Sequence, residues 1–223
     1  GGTAGVLAAI AAARTGAKSA LIEWKGYAGG IITEGGTALH SFFNIWKPYP
    51  GVAKKQLVKG IPQEIIDRLI KVGGCAGHVE METSYDYDSV CTAIDTEMYK
   101  LVTMQMIREA GVYMALNTML CGAVMAGERI SRAGREGLNA KAFVDSTGYG
   151  DLCAYAGARF TVPNDYKVAN SMGIANVDMN RYYDFLKDNN ALGQIARGSY
   201  DGLDSQLVRL GTNNKNLPTE FVK

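Results

Sequence analysis

Residues 1–36 read GGTAGVLAAIAAARTGAKSALIEWKGYAGGIITEGG, and this stretch decides the fold. Gly2 and Gly5 are spaced like the second and third glycines of G-x-G-x-x-G, with the first expected just before Gly1. An alanine-rich run, Ala8 to Ala13, follows, and then an apolar strand, Lys18 to Glu23, closes on an acid. Glycines let backbone approach a pyrophosphate, and the free N–H groups of a helix N-terminus point at it. An acid about twenty residues beyond the glycines accepts ribose hydroxyls. Glycine pairs also occur in ordinary turns, so the motif draws its weight from its context: small-residue helix, apolar strand, terminal acid.

The pair Gly29-Gly30 and then Thr33 follow Glu23 at short range. With these residues the chain resembles the FAD-dependent oxidoreductases of the two-dinucleotide-binding-domain type, and within them the heterodisulfide reductase-like proteins. In that family a strand-end Glu is followed by a Gly-Gly pair and a Thr that wrap the cofactor. A basic residue often follows the Glu there; this chain has Trp24 and then Lys25.

Further along, the spacing predicts a helix from Thr3 to Thr15 stopped by Gly16, a strand from Lys18 to Glu23 and a glycine-rich loop to Gly36. Pro62 opens a helix whose stripe is Ile61, Ile65, Ile66, Leu69 and Ile70, ending at Gly73-Gly74. Asp95 caps a helix over Thr96–Ala110, its turns traced by Met98, Leu101, Val102, Gln105, Met106 and Glu109. Gly111–Asn117 is a strand. Helix then strand, opened by Asp95-Thr-Glu97, resembles the family's second crossover.

Residues 118–144 read as short strands with turns at Gly127-Glu128 and Gly134-Arg135, an antiparallel meander. Leu120, near its start, is counted among the cofactor contacts. The resemblance makes this meander part of the FAD domain and leads from it into a strand Ala142–Asp145 and the turn Ser146-Thr147-Gly148-Tyr149-Gly150-Asp151. Thr147 and Gly148 would bring backbone to the cofactor at a strand's C-terminal end; a plain strand-to-helix turn accounts for them equally well. Tyr149 stands where the family often has an acid. A short helix, Asp151–Ala158, follows, then a strand over Lys167–Ala175 and a helix capped by Asp178 and running to about Asp188.

The expected architecture is α/β: a Rossmann-like FAD-binding domain over 1–158, with a parallel sheet and an antiparallel meander, then the opening of an α+β substrate or cap domain over 159–223. The cofactor set is Gly2, Gly5, Glu23, Gly29, Gly30, Thr33, Leu120, Thr147 and Gly148, and the cofactor is FAD. With no initiator Met and no strand before Gly1, the chain reads as an internal fragment, truncated at both ends and expected to be inactive by itself.

Composition bounds the rest. Lys plus Arg is 23 and Asp plus Glu 22, a net charge of +1, so nothing calls for nucleic acid or an anionic membrane. No apolar run is long enough to span a bilayer and the start does not read as a signal peptide, which fits a cytoplasmic protein. Cys75, Cys91, Cys121 and Cys153 are too far apart for a C-x-x-C pair, a zinc knuckle or a ferredoxin-type cluster, and read as reduced, mostly buried thiols. No metal site is expected. His40 lies just past the Gly-Gly-Thr loop, where it could exchange protons with a substrate; packing in an aromatic loop is the preferred reading. His78 is given no role. No catalytic residue is assigned. The function expected is flavin-mediated hydride or electron transfer on a small-molecule substrate or redox partner. The alternatives are an FAD-binding electron-transfer protein working with iron-sulfur partners and an NAD(P)-dependent oxidoreductase.

Overall fold

The computed structural model describes residues 1–34, 39–40, 55–80, 90–127, 129–133, 136–161, 178–188, 195–199 and 206–210. The chain divides into two compact units, one formed by residues 1–37 and 96–171, the other by 38–95 and 172–223. This division is discontinuous in sequence and differs from the expected linear boundary near residue 159.

In the first unit, helix α1 spans Thr3–Arg14 and strand β1 spans Ala20–Ile22. α1 buries Gly5, Val6, Ala9 and Ile10, a stripe whose small members let the helix lie close to the strand. A Cβ at Gly5 would stand 3.5 Å from the Leu21 side chain. Helix α3, Thr96–Glu109, packs beside α1 and leads into strand β5, Tyr113–Ala115. β5 pairs with β1 in parallel, Leu21 opposite Met114. A parallel pair needs a crossover connection, and α3 lies on the path that makes it. Ile10 and Met106 are fully buried in this layer, and truncating either to Ala costs about 2–5 kcal/mol.

α3 is rotated from the expected phase. It buries Tyr99, Val102, Thr103, Met106 and Ile107, while Met98 and Leu101 are 36% and 48% exposed. Burial of Thr103 is tolerated because its hydroxyl donates to the Tyr99 carbonyl at 2.7 Å and so is satisfied inside the core.

Strands β6, Ala123–Ala126, and β7, Arg129–Ala133, form an antiparallel hairpin with a register shift between Val124 and Met125. The expected third strand, Ala142–Asp145, joins no ladder among the described residues. A strand is made by its neighbour's hydrogen bonds, not by its own apolar character. The turn at Gly134-Arg135 lies outside the described residues. Helix α4, Asp151–Tyr155, comes next.

In the second unit, helix α2 runs over Ile61–Lys71 with Pro62 in its first turn. It buries Ile65, Ile66 and Leu69, whereas Ile70 is exposed. Strands β2 (Leu39–His40), β3 (Val79–Glu80) and β4 (Val90–Ala93) form an antiparallel sheet with β4 central. Helix α5 spans Met179–Asp188, and the Asp178 carboxylate caps it by accepting from the N–H groups of Asn180 and Arg181, both at 3.1 Å. Strands β8 (Ile195–Ser199) and β9 (Gln206–Leu210) form a hairpin. The strand expected over Lys167–Ala175 lies outside the described residues.

Candidate functional site

Gly2 is the N-cap of α1, extended at φ −64° and ψ 177°, and no side chain caps it. The first helical bond runs from Val6 N–H to the Gly2 carbonyl at 2.9 Å. The N–H groups of Thr3, Ala4 and Gly5 have no acceptor within the helix; the Gly2–Gly29 bridge turns the first of them to the Gly29 carbonyl, and with no acid in the first turn those of Ala4 and Gly5 are left at its positive end. This is the electrostatic environment that suits a pyrophosphate.

Glu23 sits one residue beyond β1 and is 6% exposed. One carboxylate oxygen accepts from Lys25 N–H at 2.8 Å, and the other lies 3.2 Å from the Gly1 nitrogen. A carboxylate offers about four lone-pair sites, so acceptor capacity remains for ribose hydroxyls. Gly1, absent from the sequence-derived set, is what lets acid and turn meet: a Cβ there would run into the Glu23 carboxylate and lie 2.6 Å from its Cβ. The basic side chain after the acid goes elsewhere. Lys25 Nζ stands 4.5 Å from the exposed Trp24 ring and 3.6 Å from Glu34.

Gly29 and Gly30 close over the same turn. Gly29 N–H donates to the Gly1 carbonyl at 2.9 Å, and Gly29 pairs with Gly2 in an isolated parallel bridge. The Thr3 hydroxyl donates to the Gly29 carbonyl at 3.1 Å. Both glycines have positive φ, 131° and 63°. A side chain at Gly29 would collide with Thr33, and one at Gly30 would come 2.9 Å from the Gly2 Cα. Thr33 is buried, and its hydroxyl donates to the Gly30 carbonyl at 2.9 Å, closing the short 3-10 turn Gly30–Ile32. Its hydroxyl hydrogen is thus used within the loop. Tyr99 of α3 backs the assembly: burial pushes its phenol up to about 12, against a hydrogen bond with Thr3 that draws it down.

The segment after Val144 reaches the glycine turn through Ser146. A Cβ at Gly5 would lie 3.2 Å from the Ser146 Cβ, and one at Gly2 3.7 Å from the Ser146 carbonyl. Asp145 organises the turn and the start of α4. It accepts from Thr147 N–H at 3.0 Å and the Thr147 hydroxyl at 2.8 Å on one oxygen, and from Cys153 N–H at 2.9 Å on the other. Burial would push this carboxyl up, but the bonds from Thr147 and Cys153 outweigh it and hold it at about 2. The Thr147 oxygen also accepts from Asp151 N–H at 2.9 Å. Gly148 adopts φ 89° with open space around it, and Tyr149 is 94% exposed.

The structure therefore brings together Gly2, Gly5, Glu23, Gly29, Gly30 and Thr33, and through Ser146 the turn that carries Thr147 and Gly148. Leu120 is half-buried two residues past Thr118, whose N–H donates to the Glu23 carbonyl at 2.9 Å. Among the described hydrogen bonds none joins Leu120 to the glycine turn. Reading the sequence missed Gly1, Tyr99, Asp145 and Ser146. Only Asp145 carried a signal, the Asp-x-Thr pattern of an Asx turn.

The remaining candidates lie outside this cluster. Cys75 is buried as expected, but Cys121 and Cys153 are exposed, and none of the three is in a disulfide. Cys121 lies in irregular backbone just before β6, and Cys153 follows the buried Leu152 on the outward side of α4. No group of metal-ligating side chains occurs among the described residues. His40 is described only as a β2 residue paired with Thr92. His78, in the second unit, hydrogen-bonds the Thr92 hydroxyl at 2.6 Å through Nδ1 and the Gln63 side-chain oxygen at 2.8 Å through Nε2. Among the described residues no helix is long and apolar enough to cross a membrane.

A family model described as FAD dependent oxidoreductase matches residues 1–216 of the chain. No curated protein matches it.

Proposed function

Since the chain belongs to the FAD dependent oxidoreductase family, we propose that its first compact unit holds FAD along the glycine turn and that the protein oxidises or reduces a small-molecule substrate or a redox partner. The observation that carries this reading is the meeting of three cofactor elements: the uncapped α1 N-terminus, the buried Glu23 carboxylate and the Gly29-Gly30 backbone all converge on Gly1 and Gly2. A cradle in which added Cβ atoms would strike backbone or carboxylate fits a ligand approached by main chain.

Bound FAD supplies the hydride or electron transfer; the protein supplies binding, orientation and electrostatics. In this reading the N–H groups of Ala4 and Gly5 hold the pyrophosphate, and Glu23 accepts the ribose hydroxyls. Gly29, Gly30 and Thr33 shape the wall beside the turn, and Thr147 and Gly148 offer backbone at its other side. Leu120 is assigned a cofactor contact on the sequence alone. The second unit is the natural place for substrate selection, and a cytoplasmic location accompanies the reading. The narrower resemblance to heterodisulfide reductase-like proteins points to a redox partner as acceptor. An enzyme using NAD(P) without a flavin is not favoured by the family.

The test is the absorbance spectrum of the purified full-length protein together with a heat-released extract. Flavin bands near their usual visible positions and FAD in the extract are expected. Colourless protein that takes up no added FAD would sink the proposal.

A further inference from the structure

We propose that Asp145 is a positioning residue for the cofactor turn: it takes both donors of Thr147, N–H and hydroxyl, and so holds the 148–150 backbone beside the glycine turn, where that backbone and not the Thr147 side chain meets FAD. The inference deepens the FAD reading above and rests on it.

Three observations support this role. First, the Thr147 hydroxyl is committed on both sides: its hydrogen goes to Asp145 and its oxygen accepts from Asp151 N–H. A hydroxyl has one hydrogen to give, so none is left for a ligand. Second, one carboxylate ties together residues separated in sequence. Thr147 N–H and the Cys153 N–H of α4 end on its two oxygens, so the turn and the helix after it are fixed to a single charge. Charge-assisted hydrogen bonds of this kind are the strong ones. Third, the neighbouring Ser146 closes off both glycines of the turn: a Cβ added at Gly5 would lie 3.2 Å from the Ser146 Cβ and one at Gly2 3.7 Å from its carbonyl. Displacing the Asp145 anchor therefore displaces the backbone that faces the cofactor.

The turn itself requires such an anchor. Gly148 and Gly150 both have positive φ, and Tyr149 between them is almost fully exposed. Little apolar burial holds this segment, so its hydrogen bonds must.

The experiment compares the wild-type protein with Asp145→Asn. The amide can still accept from Thr147 on its oxygen, but its NH2 faces the Cys153 N–H, donor against donor. Amide hydrogen exchange in the peptide covering 145–155, measured without FAD, is expected to quicken by about 10–100-fold. FAD affinity is expected to weaken by a similar factor of about 10–100. The alkylation profile of Cys153, whose thiol the Asp145 carboxylate holds up, is expected to shift to lower pH. Thr147→Val should weaken FAD as well, and Thr147→Ser, which restores the hydroxyl that Asp145 needs, should recover most of the loss. Unchanged exchange in Asp145→Asn overturns the anchoring role; quickened exchange with unchanged FAD affinity overturns the positioning role. Wild-type protein that takes up no FAD overturns the cofactor reading and this role with it. That outcome is distinct from failure of the inference alone, in which wild type and Asp145→Asn bind FAD equally.

Discussion

The Cβ that Gly30 lacks would lie 2.9 Å from the Cα of Gly2. Two glycines far apart in sequence thus meet main chain to main chain, and the Gly29–Gly30 loop is seated directly on the N-terminus of α1. The Gly2–Gly29 bridge and the Thr3 to Gly29 hydrogen bond hold it there.

Gly30→Ala is therefore expected to be costly twice over. It places a side chain at φ 63° and drives a methyl into the Gly2 backbone. A strained left-handed residue costs about 1–3 kcal/mol before any clash, and each kcal/mol lowers the melting midpoint of a chain this size by about 2–4 °C. Thermal unfolding with and without FAD checks this; an unchanged midpoint would mean the loop is not seated as described.

Glu23→Ala removes the buried acceptor beside the glycine turn. Hydrogen bonds to a charged group are worth about 1.5–3 kcal/mol, so FAD should bind about 10–100-fold more weakly. Equilibrium titration followed by flavin fluorescence measures it. Affinity equal to wild type would place the ribose elsewhere.

Tyr99→Phe removes the phenol that hydrogen-bonds Thr3 behind the Gly29 loop and is expected to cost about 0.5–1.5 kcal/mol. The pH dependence has a defined sign. The folded phenol titrates at about 12 against an ordinary 10, so the folded state holds this proton more tightly. Its contribution is fully present below pH 10 and is lost as pH rises through about 12. Denaturant unfolding of wild type and Tyr99→Phe at pH 8 and pH 11 should show the gap between them narrowing at the higher pH.

His78 predicts the opposite limb. Burial lowers its folded pKa below 6.5, more than the nearby Asp67 carboxylate raises it. The unfolded chain then binds the proton better, so this contribution is present above pH 6.5 and is lost as pH falls through the lower folded value. With Nε2–H donated to the Gln63 oxygen, Nδ1 of the neutral ring is the acceptor, and protonation turns it into a donor toward Thr92. Unfolding midpoints at pH 7.5 and pH 5 should fall less in His78→Gln than in wild type; an equal fall would show that His78 does not titrate across this window.

What the sequence determined by itself is local. The helix after the glycines, the first turn of α2 around Pro62 and the Asp178 cap each depend on residues within a few positions of one another, where backbone sterics and capping act, and the Gly2-to-Glu23 order is legible as a linear motif. The family's cofactor could be read from that order too. The tertiary structure alone decided the rest. It put Thr103 in the core and left Leu101 exposed, because α3 packs beside α1, a neighbour remote in the chain. It left Ala142–Asp145 without a ladder and set 38–95 with the C-terminal segment, because strand pairing and compactness depend on residues remote in the chain. It also bound the Thr147 hydroxyl to Asp145 and Asp151 and brought Gly1 against Glu23. A side chain's type says what it can bond to, but only the folded geometry settles which partner stands within about 3 Å.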